Sequence, residues 1–214
     1  MRHPLALCET TSKKVSQQLN MNKAIFLDKD GTLIPDIPYN VDTARISLSP
    51  ECIEGLKLFI ADGYKLIVIS NQSGIARGYF SEEQFEPVIS RLAQMLEDHG
   101  IILTNFYYCP HHPEGTKSEY AINCNCRKPM PGMLLEAAKD HQLDLAQCWM
   151  IGDILNDVEA GNRAGCRTIL IDNGNETEWV EGNFRTPAFI SQTINAAATF
   201  IHNQSLINVR LEQC

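Results

Sequence analysis

Five short apolar runs, at residues 23–28, 65–70, 104–109, 148–151 and 167–172, alternate along this chain with stretches of helical periodicity. Runs so short and so continuously apolar read as strands buried on both faces of a sheet. The helices between them supply the crossovers that parallel strands require. The alternation predicts an α/β fold: one parallel sheet with helices on both faces. A short sixth strand is expected at 188–190.

Helices are expected at 50–62, 81–99, 131–141, 154–164 and 191–203. Ser49 is a candidate cap for the first, with Pro50 at its first helical position and Gly63 closing it. Ser81-Glu82-Glu83-Gln84 has the form of a second N-cap, and Gly100 and Gly165 follow two later helix ends. No repeat or low-complexity linker interrupts this order. One domain is expected over 22–203, between a poorly ordered tail at 1–21 and a C-terminal tail at 204–214.

The chain of 214 residues is 44% hydrophobic and 21% charged, which suits a soluble globular domain able to bury a core without staples. No apolar run approaches the ~20 residues that span a bilayer. The net charge of −8 speaks against nucleic acid as a partner. It leaves room for a phosphorylated small molecule, since a bound cation can dominate one site. Leu5-Ala6-Leu7 is too short for a signal-peptide core, and Leu7 stands before Cys8 where a lipoprotein signal would have a small residue. A cytoplasmic protein is expected. With no long apolar stripe left over on a helix, a monomer is expected too.

Ligands of parallel sheets bind at the carboxyl ends of the strands. Four strand ends here carry Asp28-Lys29-Asp30-Gly31-Thr32, Ser70-Asn71-Gln72-Ser73-Gly74, Cys109-Pro110-His111-His112 and Gly152-Asp153. Asp28 and Asp30 stand two residues apart, with Gly31 to turn the chain. Two carboxylates brought together repel, so either a cation sits between them or one holds a proton. Both arrangements serve phosphoryl transfer: one carboxylate attacks phosphorus, the other protonates the leaving oxygen and then deprotonates water. A divalent ion would neutralise the incoming phosphate.

Asp28-Lys29-Asp30-Gly31-Thr32-Leu33 resembles the first motif of the haloacid dehalogenase (HAD) superfamily of phosphohydrolases. Ser70 resembles its phosphate-binding hydroxyl, Lys128 in Cys126-Arg127-Lys128-Pro129 its ammonium, and Gly152-Asp153-Ile154-Leu155-Asn156-Asp157 its metal-holding acidic motif. The resemblance implies a HAD-type, Rossmann-like sheet. It implies Asp28 as nucleophile, Asp30 as general acid and base, and Ser70 and Lys128 on the phosphoryl group. Magnesium would be held by Asp28, the Asp30 backbone carbonyl and Asp153. Asp157 would stand behind these ligands or on an exposed helix turn. The gaps between motifs are too short for a cap domain, so the site should be open and a loop should complete it.

Three cysteines and two histidines crowd into residues 109–126: Cys109, His111, His112, Cys124 and Cys126. Thiolates with an imidazole suit tetrahedral zinc as a Cys₃His set, fixing a loop that could not otherwise order itself. Cys109-Pro110-His111-His112-Pro113-Glu114-Gly115, Cys124-Asn125-Cys126-Arg127-Lys128-Pro129 and Ser70-Asn71-Gln72-Ser73-Gly74-Ile75-Ala76-Arg77-Gly78 resemble the D-glycero-D-manno-heptose-1,7-bisphosphate 7-phosphatases. That resemblance implies zinc on Cys109, His111, Cys124 and Cys126. It implies a phosphorylated sugar held by Asp36, Tyr39, Ser70, Asn71, Gln72, Ser73, Arg127 and Lys128. Histidinol phosphatases share the zinc loop and are the nearest rival. They read Asn-Gln-Asp-Gly-Leu-Gly where this chain has Asn71-Gln72-Ser73-Gly74-Ile75-Ala76.

Overall fold

The computed structural model describes residues 22–211; the expected tail at 1–21 lies outside them. Six parallel strands form one sheet in the order β3-β2-β1-β4-β5-β6. They are β1 (Ala24–Leu27), β2 (Lys65–Asn71), β3 (Asn105–Cys109), β4 (Trp149–Gly152), β5 (Arg167–Ile171) and β6 (Phe189–Ser191). All six expected strands are present, each within a residue or two of its predicted limits.

Period-two alternation divides the strand side chains between two cores. Ile25, Leu27, Leu66, Val68, Trp149 and Ile151 face α1 (Cys52–Ala61), α3 (Glu82–Glu97) and α6 (Ile194–Leu211). Ala24, Phe26, Ile67, Ile69, Cys148 and Met150 face α4 (Gly132–His141) and α5 (Leu155–Ala164). The apolar runs were continuous because both faces of the sheet are covered. A four-residue helix, α2 (Ser73–Ala76), follows β2.

Local signals explain the helix ends, with two corrections. Ser81 caps α3 in a capping box, accepting from the Gln84 N–H at 3.3 Å while Gln84 Oε1 accepts from the Ser81 N–H at 2.9 Å. Ser49, by contrast, does not cap α1. Glu51 precedes that helix with φ 58°, and only the Ser49 carbonyl takes part, accepting from the Cys52 N–H at 3.4 Å. The last helix begins at Ile194 because residues 189–191 belong to β6. It continues to Leu211, so the boundary expected at 203 falls inside a helix.

Strand order reverses beside β1, which pairs with β2 on one side and β4 on the other. Such a switch point opens a crevice at the carboxyl ends of the strands. The segments after β1, β2, β3 and β4 all emerge around it.

Candidate active site

Asp28 follows β1, and its backbone N–H donates to the Ile151 carbonyl of β4 at 2.9 Å. The chain then turns back tightly: Gly31 N–H donates to the Ile34 carbonyl at 2.8 Å and Ile34 N–H to the Lys29 carbonyl at 3.0 Å. Gly31 makes the turn at φ +80°, a conformation disfavoured for other residues. A Cβ there would stand 1.9 Å from Asp153 Oδ2. The turn thus lays bare backbone against the carboxylate that follows β4.

Asp28, Asp153 and Asp157 are all buried, and each offers an oxygen within 4.8 Å of the others'. Lys128 Nζ contacts Asp28 Oδ1, lies 2.6 Å from Asp157 Oδ1 and donates to the Ile69 carbonyl at 2.8 Å. Asp157 is therefore wholly inside the site and not on an exposed turn. Its carboxyl packs onto Gly152, where a Cβ would come within 2.3 Å of it.

Charge in this site is out of balance. Three buried carboxylates share one buried ammonium. Burial, then repulsion from Asp157, Asp153 and Asp30, drives the Asp28 pKa well above the carboxylate range, with Lys128 opposing. Burial and the Asp157 charge raise Asp153 to about 7. At Lys128 burial works downward, but Asp157 and Asp28 outweigh it and keep the ammonium charged. Asp157 Oδ1 is buried with no aligned hydrogen-bond donor. An excess of hard oxygen donors around an uncompensated negative charge fits a divalent cation.

Asp30 stands apart from that trio. Its Oδ1 accepts from Lys29 Nζ at 2.7 Å and its Oδ2 from Gln72 Nε2 at 3.2 Å. The same Gln72 amide donates to Ser70 Oγ at 2.8 Å, so the second strand end aims both the hydroxyl and Asp30. Asn71 grips the Lys128 backbone twice at 3.0 Å: its Oδ1 accepts from the N–H and its Nδ2 donates to the carbonyl. Beside these groups Asp30, Asp36, Tyr39, Asn71, Gln72 and Ser73 line an open cavity of about 260 Å³.

The thiol cluster forms as one unit. Cys126 Sγ lies 3.1 Å from Cys109 Sγ, 3.2 Å from Cys124 Sγ and 3.3 Å from His111 Nδ1. Cys109 Sγ lies 3.6 Å from both Cys124 Sγ and His111 Nδ1. Four ligands on a tetrahedral ion at about 2.3 Å stand nearly 4 Å apart, so these four atoms frame a metal position. The hydrogen bond between Cys126 and Cys109 pulls Cys126 down to about 5 against burial, and the same bond with burial pushes Cys109 up. His112 turns away: its Nδ1 accepts from the Glu114 N–H at 3.1 Å, and its Nε2 meets Arg77 Nη2 at 3.1 Å.

Arg127 and Lys128 continue directly from Cys126. The Arg127 N–H points at Cys124 Sγ at 3.4 Å, so the cluster sets where both cations begin. Arg127 is half-buried, and burial lowers its pKa, with the nearby Arg77 charge adding to the effect against the pull of Cys109 and Cys124.

Four contributors escaped the sequence reading. Lys29 is 2% exposed, holds Asp30 and lies 5.4 Å from the Phe85 ring centroid; in sequence it was only the residue between two aspartates. Asn173, Asn175 and Glu176 reach the site from the loop after β5. Their only signal was a cluster of polar residues in a turn-rich segment.

The HAD-hydrolase-like family model matches residues 125–197. The D-glycero-beta-D-manno-heptose-1,7-bisphosphate 7-phosphatase of Pasteurella multocida (strain Pm70) is 46% identical over 155 residues, covering 72% of this chain and 84% of that protein. The enzyme of the same name from Haemophilus ducreyi is 40% identical over 174 residues, covering 81% and 95%. The solved structure of D,D-heptose 1,7-bisphosphate phosphatase from B. bronchiseptica, complexed with magnesium and phosphate, is 26% identical, with a TM-score of 0.73 over 85% of this chain and 99% of that one. Among the described residues of the present chain, no helix is long and apolar enough to cross a membrane.

Proposed function

The chain belongs to the D-glycero-D-manno-heptose-1,7-bisphosphate 7-phosphatase family, and on that premise we propose that it hydrolyses the 7-phosphate of D-glycero-D-manno-heptose 1,7-bisphosphate. The observation that carries the chemistry is the buried contact of Lys128 with both Asp28 and Asp157, at the crevice beside β1.

In this reading an Asp28 carboxylate oxygen attacks the 7-phosphorus. The bond from phosphorus to the sugar oxygen breaks, and Asp30 gives its proton to that oxygen. Asp30 then takes a proton from water, whose oxygen attacks the aspartyl phosphate and breaks its bond to Asp28. Inorganic phosphate leaves and the carboxylate is restored. Lys29 and Gln72 hold Asp30 on its two oxygens, which aims it toward the open side. Ser70 and Lys128 receive the phosphoryl oxygens. Asp36, Tyr39, Asn71, Gln72, Ser73 and Arg127 bind the rest of the sugar phosphate.

Asp28 must be ionised to attack, and burial opposes that. Magnesium held by Asp28, Asp153 and the Asp30 carbonyl, with Asp157 beside them, would supply the missing positive charge and neutralise the phosphate. Zinc suits the Cys109, His111, Cys124 and Cys126 set. With four protein ligands its work is structural: it orders the loop that presents Arg127 and Lys128.

The test is phosphate release with magnesium from heptose 1,7-bisphosphate and histidinol phosphate side by side. The expected result is a strong preference for the bisphosphate. A preference for histidinol phosphate overturns the substrate and leaves the chemistry. Release from neither overturns both.

A further inference from the structure

The four strand-end motifs leave the end of β5 without a role, yet the segment that follows it is tied to the site at three points. Asn173 Nδ2 donates to the Gly31 carbonyl at 2.6 Å, in the turn after β1. Asn175 Nδ2 donates to Asp153 Oδ2 at 2.6 Å, after β4. Glu176 accepts through Oε2 from the Leu155 N–H at 2.6 Å, at the start of α5, and through Oε1 from the Glu178 and Trp179 N–H groups at 2.9 and 3.4 Å. Residues 173–179 are thus a strap fastened across the crevice.

The middle fastening joins unlike partners. Asn175 is exposed, whereas Asp153 is 4% exposed. The Asp153 carboxylate lies within reach of those of Asp28 and Asp157, and repels and is repelled by both. Its other side-chain hydrogen bond is long: the Thr32 hydroxyl donates to Oδ1 at 3.4 Å. A Cβ on Gly31 would lie 1.9 Å from Asp153 Oδ2 and 2.4 Å from Asn175 Nδ2, so the amide and the carboxylate rest together on a bare Cα.

We propose that Asn175 is a positioning residue of the carboxylate metal centre. Its amide, delivered by a strap anchored at Asn173 and Glu176, holds Asp153 in its ligating orientation against repulsion from Asp28 and Asp157. The proposal rests on the reading that Asp153 holds magnesium. Partners that orient metal ligands typically change metal affinity by about 10–100-fold when removed. Because Asn175 is exposed, its truncation leaves both cores intact.

Calorimetric titration of magnesium into the full-length wild type, Asn175→Ala and Thr177→Ala tests this without substrate. Thr177 is exposed, lies on the same strap and makes none of these bonds. Asn175→Ala is expected to weaken magnesium about tenfold, and at least about threefold. Its metal-free melting temperature should stay within about 2 °C of wild type, and Thr177→Ala should bind as wild type does. A weakening of less than about threefold in Asn175→Ala overturns the proposal. So does an equal loss in Thr177→Ala, since the effect would then belong to strap packing. A wild-type chain that takes up no magnesium overturns the reading of the metal centre, and the proposal with it.

Discussion

Asp157 Oδ1 stands 2.6 Å from Lys128 Nζ, with the two side chains 1% and 2% exposed. The contact joins the first turns of α5 to the end of the thiol loop. It gives Lys128 a fixed anchor below the crevice, so that its ammonium can meet Asp28 from one direction only. Deleting Lys128 leaves the buried carboxylates of Asp28 and Asp157 without compensation.

Lys128→Met should therefore cost stability as well as turnover. Removing one member of a buried ion pair costs about 3–5 kcal/mol. For a chain of this size that lowers the melting temperature by roughly 6–20 °C. Magnesium should restore more of the melting temperature in this variant than it adds to wild type. Calorimetric melting with and without the ion checks both statements, and a metal-free variant as stable as wild type would contradict them.

Asp28→Asn should behave in the opposite way. The amide keeps the shape and removes a charge that burial disfavours. We expect a melting temperature equal to or above that of wild type, with turnover lower by at least about 10⁴-fold. Steady-state phosphate release with a parallel melt decides it; substantial retained turnover would remove Asp28 as nucleophile.

Asp153 gives the pH dependence. Its pKa in the folded chain is raised to about 7, against about 3.9 when unfolded. Between these values the folded state holds the extra proton, so metal-free stability from this group falls as pH rises from about 4 to about 7. Magnesium competes with the same proton. The rise in melting temperature on adding magnesium should therefore grow from about pH 5.5 to about pH 7.5. A gap independent of pH would contradict this assignment.

Cys124→Ser removes one of the four groups of the thiol cluster that could hold a metal ion. Bound zinc, measured by atomic emission on the purified chain, should fall from one per chain to near zero. Limited proteolysis should then cut within residues 110–130, where wild type resists. Unchanged zinc content would sink the metal reading of the cluster.

Gly31→Ala places a methyl where Asp153 Oδ2 already sits and demands φ +80° of a non-glycine residue. The Asp153 carboxylate must move. Magnesium affinity is expected to drop at least about tenfold, read by titration, with loss of turnover.

Much of this was legible because its signals are local. Apolar runs such as 65–70 announce strands covered on both faces, and Ser81 with Gln84 announces a cap through neighbours three residues apart. Asp28, Ser70 and Asp153 stood at strand ends, where side chains must converge. What escaped depends on distance. Asp157 could have faced either way on its helix until Gly152 was seen beneath it. Asn175 meets a partner 22 residues away across a crevice, so composition could mark its segment only as a turn. Ser49 failed as a cap because Glu51 takes a left-handed conformation that a serine two positions earlier does not announce. The four residues of α2 are too few to show a period.

The placement of β1 between β2 and β4 carries a cost during synthesis. The ribosome makes β1 before the other strands, and β2 and β3 follow early. Ile25 and Phe26 must wait for Trp149 and Met150, more than half the chain later. Until then a nascent sheet of β3, β2 and β1 ends in a bare apolar edge, the kind that recruits other chains. The strand that carries Asp28 to the crevice is thus paired on its second edge only when β4 emerges. A chain halted before β4 should be prone to clump.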